Sequence, residues 1–377
     1  MSFDTKRPNR ACRAALAIVP ISIALTGCHP MTDTRQQSVV DSGQPTVVVS
    51  DNLGKNAELI NAVSSRDVDK VEQLIRDGAD VNVKNKDEWT MLSQSVLHWD
   101  TKIAELLITN RANVNEKGKH GYTALIVAAM ADRPKVAKLL IENGAKVDEK
   151  DNDGHTALWW AVSNGYEKIV ELLIEKGAKV NEKDNDGWTA LSKAAMEGRT
   201  EVAKLLIRHG ADVTVKNANW TILALAASKG QTEIAKLLIE HGADVNAKTT
   251  TGNTALSSAA FDGQEEVAKL LITNGANVNE TDENSRTPLM FAVSILRCRG
   301  MAGLNARGMY MNADEKNERE RRMSAAITGY MGVAKLLIAH RARINERDNE
   351  GKTALTFAMM GGNTDMIGLL KKHGAVE

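Results

Sequence analysis

Apolar and polar positions along most of this chain follow two nested periods. In the stretch around residues 123–145, apolar side chains fall at Leu125, Ala128 and Ala129, and again at Val136, Leu139 and Leu140. That three-and-four spacing puts one stripe on each of two short helices. A threonine precedes each first stripe, where its hydroxyl can cap free backbone N–H groups. A glycine follows each second stripe at Gly144, Gly177, Gly210, Gly242 and Gly275, and glycine readily takes the left-handed conformation that ends a helix. The pair of stripes itself recurs. Thr-Ala-Leu or a near variant begins at Thr90, Thr123, Thr156, Thr189, Thr221, Thr254, Thr287 and Thr353, with gaps of 33, 33, 33, 32, 33, 33 and 66 residues. One two-helix unit cannot bury its own stripes, so the units must stack into a quasi-one-dimensional array. The small Ala residues let neighbouring helices approach within about 8–10 Å.

After each Thr-Ala-Leu comes Leu-Leu-Ile and then Gly-Ala-x-Val, as in VAKLLIENGAKVDEKD (136–151), IVELLIEKGAKVNEKD (169–184) and VAKLLIRHGADVTVKN (202–217). This pattern resembles the ankyrin repeat, although Ala replaces the family's Pro except at Thr287-Pro288-Leu289. The resemblance implies an all-α solenoid of helix-turn-helix units with hairpin loops, about nine or ten repeats over residues 56–377. A degenerate copy opens the array at Asn56–Asn85, and a short one closes it at Asn349–Glu377. Arg111 and Arg341 stand where the glycine belongs, which predicts a strained or altered turn at both places. The 66-residue gap contains ILRCRGMAGLNARGMYMNADEKNERERRM (295–323), which carries no repeat signature. Its length fits one repeat with a 33-residue insertion or two degenerate repeats back to back. A lengthened first helix over 313–328 favours two.

The first residues have a different character. Lys6, Arg7, Arg10 and Arg13 precede a largely apolar run from Ala14 to Leu25. The run is too short for a bilayer of ~30 Å, which needs about 20 residues, and reads as a cleaved secretory signal over 1–27. It ends in Leu25-Thr26-Gly27-Cys28, which resembles the lipobox of a bacterial lipoprotein. That resemblance implies diacylglyceryl and acyl chains on Cys28, a stable anchor when two or more chains are buried. By the same likeness, His29 in place of Asp favours the outer membrane, with the protein facing the periplasm. Residues 28–55 then read as the acylated cysteine and a flexible polar tether.

Composition narrows the function. Apolar residues make up 43% and charged residues 25%, the balance of a folded protein. Only 4% are aromatic, which suits helices packed through Ala and Leu rather than a β-sandwich. With 48 basic and 48 acidic residues, no overall field draws nucleic acid. Without residues 1–27 the count becomes 44 basic against 47 acidic, a net charge of −3.

The chain holds no G-x-S-x-G, H-E-x-x-H, P-loop or dinucleotide fingerprint, so neither a cofactor nor an enzyme is expected. Cys298 lies between Arg297 and Arg299, charges that can lower a thiol pKa, but no ordered partner accompanies it. His209, His241, His340 and His373 recur once per repeat. At helix-packing spacing they cannot converge to the ~2 Å of zinc ligands, and no metal site is expected. Asp151-Asn152-Asp153-Gly154 and Asp184-Asn185-Asp186-Gly187 resemble the start of a calcium loop, but Thr156, Val162, Thr189 and Ala195 occupy the positions that need Gly and Glu. They read as turns.

The strongest functional signal is a column. In the ankyrin family the residue before the Thr faces the concave groove. Here that column is Trp89, Tyr122, His155, Trp188, Trp220, Asn253, Arg286 and Lys352, with a second tier of Met130, Trp159, Trp160, Met196 and Phe261 on first helices. Large amphipathic side chains dominate binding hot spots; the same rings could instead pack on adjacent hairpins. Because both tryptophans of the pair 159–160 cannot face the core, one should lie exposed or between repeats. The resemblances together imply a membrane-anchored lipoprotein that binds a partner protein, such as an immunity protein masking a periplasm-acting toxin or lipase effector. A periplasmic scaffold that stabilises an endogenous enzyme is the alternative.

Overall fold

The structure, a computed structural model, describes residues 47–216, 220–294 and 327–376. Cys28, Cys298, the leader and the segment 313–326 lie outside the described residues. The described chain folds into helices joined by turns, and these pair into nine units among the described residues. The first helices of the units are α1 (Val47–Ser65), α3 (Met91–Leu97), α5 (Ala124–Met130), α7 (Ala157–Asn164), α9 (Ala190–Glu197), α11 (Ile222–Ser228), α13 (Ala255–Asp262), α15 (Pro288–Ser294) and α17 (Ala354–Gly361). The second helices are α2 (Val68–Arg76), α4 (Thr101–Thr109), α6 (Pro134–Glu142), α8 (Glu167–Glu175), α10 (Thr200–Arg208), α12 (Thr232–Glu240), α14 (Glu265–Thr273), α16 (residues 327–339) and α18 (Thr364–Lys372).

Local chemistry explains each unit. The Thr123 hydroxyl accepts the Ile126 N–H at 3.3 Å and starts α5, and the equivalent bond recurs at Thr90, Thr156, Thr189, Thr221, Thr254 and Thr353. First helices pack on first helices of the flanking units and second helices on second helices, which makes two rows. In α5 every residue from Ala124 to Ala129 is buried, because the helix has neighbours on both sides and its own partner behind. A continuous apolar core runs from Leu59 to Leu370. Ala at these contacts keeps the repeats close, which is why so few aromatics are needed. No described helix is long and apolar enough to cross a membrane.

Three expectations need correction. Helix α1 begins at Val47, inside the stretch read as tether. Pro45 is the last proline before Pro134, so nothing in the sequence forbids a helix from Val47 onward. Its far end buries Leu59, Ala62 and Val63 against the array.

Arg111 and Arg341 do not alter their turns. They adopt the left-handed conformation at φ 67° and 65°. Arg111 N–H donates to Ile108 O at 3.0 Å and Ala112 N–H to Leu107 O at 2.9 Å, matching Gly144 to Ile141 and Ala145 to Leu140. The buried Ala112 and Ala342 that follow hold the turn in place, and the side chain bears the strain.

The 66-residue interval holds one repeat with 33 extra residues. Regular neighbours bond at fixed offsets: Asp212 N–H to Asn181 Oδ1 is 31 residues apart, and Asn246 Nδ2 to Gly275 O is 29. Across the interval the same bonds join Arg343 to Asn279 and Asn279 to Arg341, at offsets of 64 and 62. Helix α15 packs directly on α17. Two degenerate repeats would have put a further first helix between them.

Candidate binding groove

Each hairpin is closed by its own side chain. Asp151 Oδ1 accepts the N–H groups of Asp153 and His155 at 3.0 and 2.8 Å, and Asp184 Oδ1 those of Asp186 and Trp188 at 3.0 and 2.8 Å. These Asx turns are what the two calcium-like stretches form. The residue before the Thr is thereby fixed at the hairpin tip. Trp89, Tyr122, His155, Trp188, Trp220, Asn253, Arg286 and Lys352 are all half-buried there.

In the first half of the column the rings touch one another. Trp89 and Tyr122 lie 6.1 Å apart, Tyr122 meets Trp160 edge-on at 6.0 Å, and His155 stacks on Trp159 at 3.6 Å while meeting Trp160 at 5.6 Å. Trp160 packs on the core and its indole N–H donates to Asp151 Oδ2 at 2.9 Å. Trp159 lies between repeats, with His155 on one face and Lys193 Nζ of the following unit 4.9 Å from its ring. Trp188, also half-buried, makes no ring-on-ring contact among the described residues and is not among the side chains packed on the core. Trp220 packs on the core.

The buried Asp151 carboxylate organises this half. Burial alone would push its proton affinity up, but the His155 ring beside it, the Trp160 indole and the His155 backbone N–H outweigh burial and hold it below the ordinary aspartate value. Tyr122 shifts the other way: burial first, then the negative charges of Asp151 and Asp153, raise its hydroxyl above the usual tyrosine range. Asp151, Asp153 and His155 bring one ligand atom each to within 4.8 Å of one another. The Asp151 oxygens are already engaged, Oδ1 by two backbone N–H groups and Oδ2 by Trp160, so in this structure the group closes the hairpin. His209, His241 and His373 occupy helix C-caps one per repeat.

The second half is hollow. Phe261 is 46% exposed, and its ring meets Phe291 edge-on at 6.1 Å. Together with Arg286, Met290, Ser294, Phe357, Met360 and Gly361, these rings line a cavity of about 240 Å³. Of these residues the sequence reading singled out Phe261 and Arg286 alone. The missed signal is positional. The seventh residue after each Thr forms a row on the groove side: Leu97, Met130, Ser163, Met196, Ser228, Phe261, Ser294 and Met360. Met130 and Met196 are half-buried in it, and Leu97 and Met360 are exposed; serine alternates with a large residue at Ser163, Ser228 and Ser294 alike, and at Ser294 the rings of Phe291 and Phe357 join Phe261 and Met360 around the cavity.

Comparison with known families agrees with this architecture. The family described as Ankyrin repeats (3 copies) matches residues 59–151, 103–184, 144–217, 181–249 and 223–300, and that described as Ankyrin repeats (many copies) matches 323–370. The unmatched interval coincides with the extra residues after α15. No curated protein matches the chain. With its capped two-helix units, its bond ladder of fixed offset and these matches over most of its length, the chain belongs to the ankyrin-repeat family.

Proposed function

We propose that this protein is a lipid-anchored, periplasm-facing binding module that holds a partner polypeptide against its hairpin tips and first helices. Ankyrin repeats are protein-interaction modules, which supports a binding role. The observation that carries the reading is the half-buried column from Trp89 to Trp220, above all Trp188, whose ring is held at a hairpin tip without a ring partner among the described residues. Hot spots are enriched in such residues. The anchor rests on the lipobox-like Leu25-Thr26-Gly27-Cys28 behind an apolar run. Masking of a periplasm-acting toxin fits a tethered binder better than a housekeeping scaffold does, since interception at the membrane is what the tether provides.

The test is capture from periplasm with the chain from residue 29, followed by affinity measurement on the recovered partner. Trp188→Ala combined with Trp220→Ala should weaken that partner at least about tenfold, or 1.4 kcal/mol; a change within threefold excludes this face. Cys28→Ser should abolish both acylation and membrane fractionation. A secreted toxin as the partner supports immunity, and an endogenous enzyme supports the scaffold.

A further inference from the structure

The hollow in the second half of the groove has a size and a charge that define what fits it. Its volume of about 240 Å³ is below the ~300–1,000 Å³ of pockets that enclose a drug-sized ligand. It suits one bulky side chain. Phe261, Phe291, Phe357, Met290 and Met360 line it together with Ser294 and Gly361, and among the described residues the one charged residue lining it is Arg286. Arg286 Nε is buried and makes no hydrogen bond among the described residues. Asp348 forms an ion pair with it at 3.9 Å, beyond hydrogen-bond distance, and spends Oδ1 on the N–H groups of Glu350 and Lys352. Nε itself is enclosed, but the Arg286 side chain as a whole is 36% exposed, so the residue is open to a carboxylate at the rim of the cavity. The site is therefore complementary to an apolar group with a carboxylate beside it.

We infer that this cavity is the anchor pocket for a partner segment in which a large apolar side chain is followed within a residue or two by Asp or Glu. The apolar side chain fills the space over Ser294, and the carboxylate accepts from Arg286. This rests on reading the groove as a protein-binding face, and it adds which half supplies the anchor and what chemistry it selects. Aromatic side chains in desolvated pockets are the usual hot-spot arrangement, and guanidinium favours carboxylates through its planar fork of donors.

A library of random peptides displayed on phage, selected on the purified full chain, tests it. Selected peptides should share a Phe, Trp, Leu or Met adjacent to an acid. A synthetic peptide of that sequence should lose at least about tenfold in affinity to Ser294→Leu, which fills the hollow. Arg286→Gln should weaken it severalfold, and should not affect the same peptide with its acid changed to amide. Met360→Ala, at an exposed position, guards against a folding artefact and should also weaken binding. Peptides without an acid, or binding indifferent to Ser294→Leu and Met360→Ala, overturn the proposal. If those peptides depend on Trp188 and Trp220, the broader groove reading survives; if they depend on neither half, it falls as well. Selection that succeeds only after residues 295–326 are replaced by a short linker would make the chain's own segment the occupant, and that too overturns the proposal.

Discussion

The two halves of the groove use one backbone for opposite ends. From Trp89 to Trp160 the hairpin tips and first helices fill the space between them with their own rings, tied to the buried Asp151. From Phe261 to Met360 the equivalent positions leave a hollow with one cation at its edge. The Asx turn and Thr cap that hold the tip residues recur in both halves, at Asp151 and Thr156 and again at Asp348 and Thr353. Whether the face is filled or hollow is therefore set by one or two side chains per repeat, and the scaffold neither compels nor forbids either outcome.

The largest expected effect asks whether the halves share one core. Leu158 and Leu355 are both buried beneath first helices. Leu158→Ala should cost about 3 kcal/mol because units stack on both of its sides. Leu355→Ala, in a repeat with one described neighbour row, should loosen the last repeat and broaden the transition rather than lower the whole array. Urea unfolding followed by circular dichroism checks both. Equal, fully cooperative losses would erase the distinction between interior and end.

Next comes the acid on which the first half turns. Asp151→Asn removes a carboxylate that accepts from two backbone N–H groups and an indole, and should destabilise by about 2 kcal/mol at neutral pH. Because the folded carboxyl is held below its ordinary value, its contribution is present above the unfolded pKa and lost as pH falls through the folded one. The gap between wild type and Asp151→Asn should accordingly close in acid. A gap that widened on acidification would mean that burial, not the hydrogen bonds, governs this group. The same substitution at Asp348 should matter less to the aromatic half, since no indole leans on it.

How much was legible beforehand follows the same division. The repeat length, the Thr caps and the terminating glycines could be read directly, because each is a local demand of backbone hydrogen bonding. Trp188 and the rest of the column were legible once the repeat register was known. The cavity was not, since it depends on Phe261, Phe291, Phe357 and Met360, from three different repeats, being brought around Ser294 by stacking. The extra residues after α15 were ambiguous for a related reason: the offset of 64 between Arg343 and Asn279 is a property of the folded ladder and leaves no local mark.

Arg111 and Arg341 give a smaller effect with the opposite sign. Both bear a side chain at φ above 60° in a turn that glycine closes elsewhere. Arg111→Gly and Arg341→Gly should each stabilise by about 1 kcal/mol, the cost of a left-handed non-glycine residue. One change lies in each half, so similar gains would show that the turn is equally constrained on both sides of the interruption. Thermal melts compare them directly.

The smallest effect concerns a lysine ladder that distinguishes the halves along their hairpins. Lys84, Lys117 and Lys150 each donate to a carbonyl 33 residues on, at 2.8 Å, and each pairs with a glutamate of the next unit, Glu116, Glu149 and Glu182. Lys248 repeats this with Thr281 O and Glu280. The charge pairing is interrupted at Lys183 and Lys216, where Val215 and Ala247 take the glutamate's place, and the lysine itself is lost at Thr281, just before the extra residues. The lysine hydrogen bonds hold Glu149, Glu182 and Glu280 below the ordinary glutamate value, but these pairs are solvent-accessible and each is worth no more than about 0.5 kcal/mol. Thr281→Lys would place an ammonium where it can reach Arg347 O and Glu346, the acid in register 65 residues on. It should raise the melting temperature slightly at low salt, and the gain should shrink strongly at ~1 M salt, where the Debye length falls to ~3 Å. Lys117→Met should lose a similar amount with the same salt dependence. A gain from Thr281→Lys that persists in high salt would point to the backbone hydrogen bond, rather than the charge pair, as what couples one repeat to the next across the interruption.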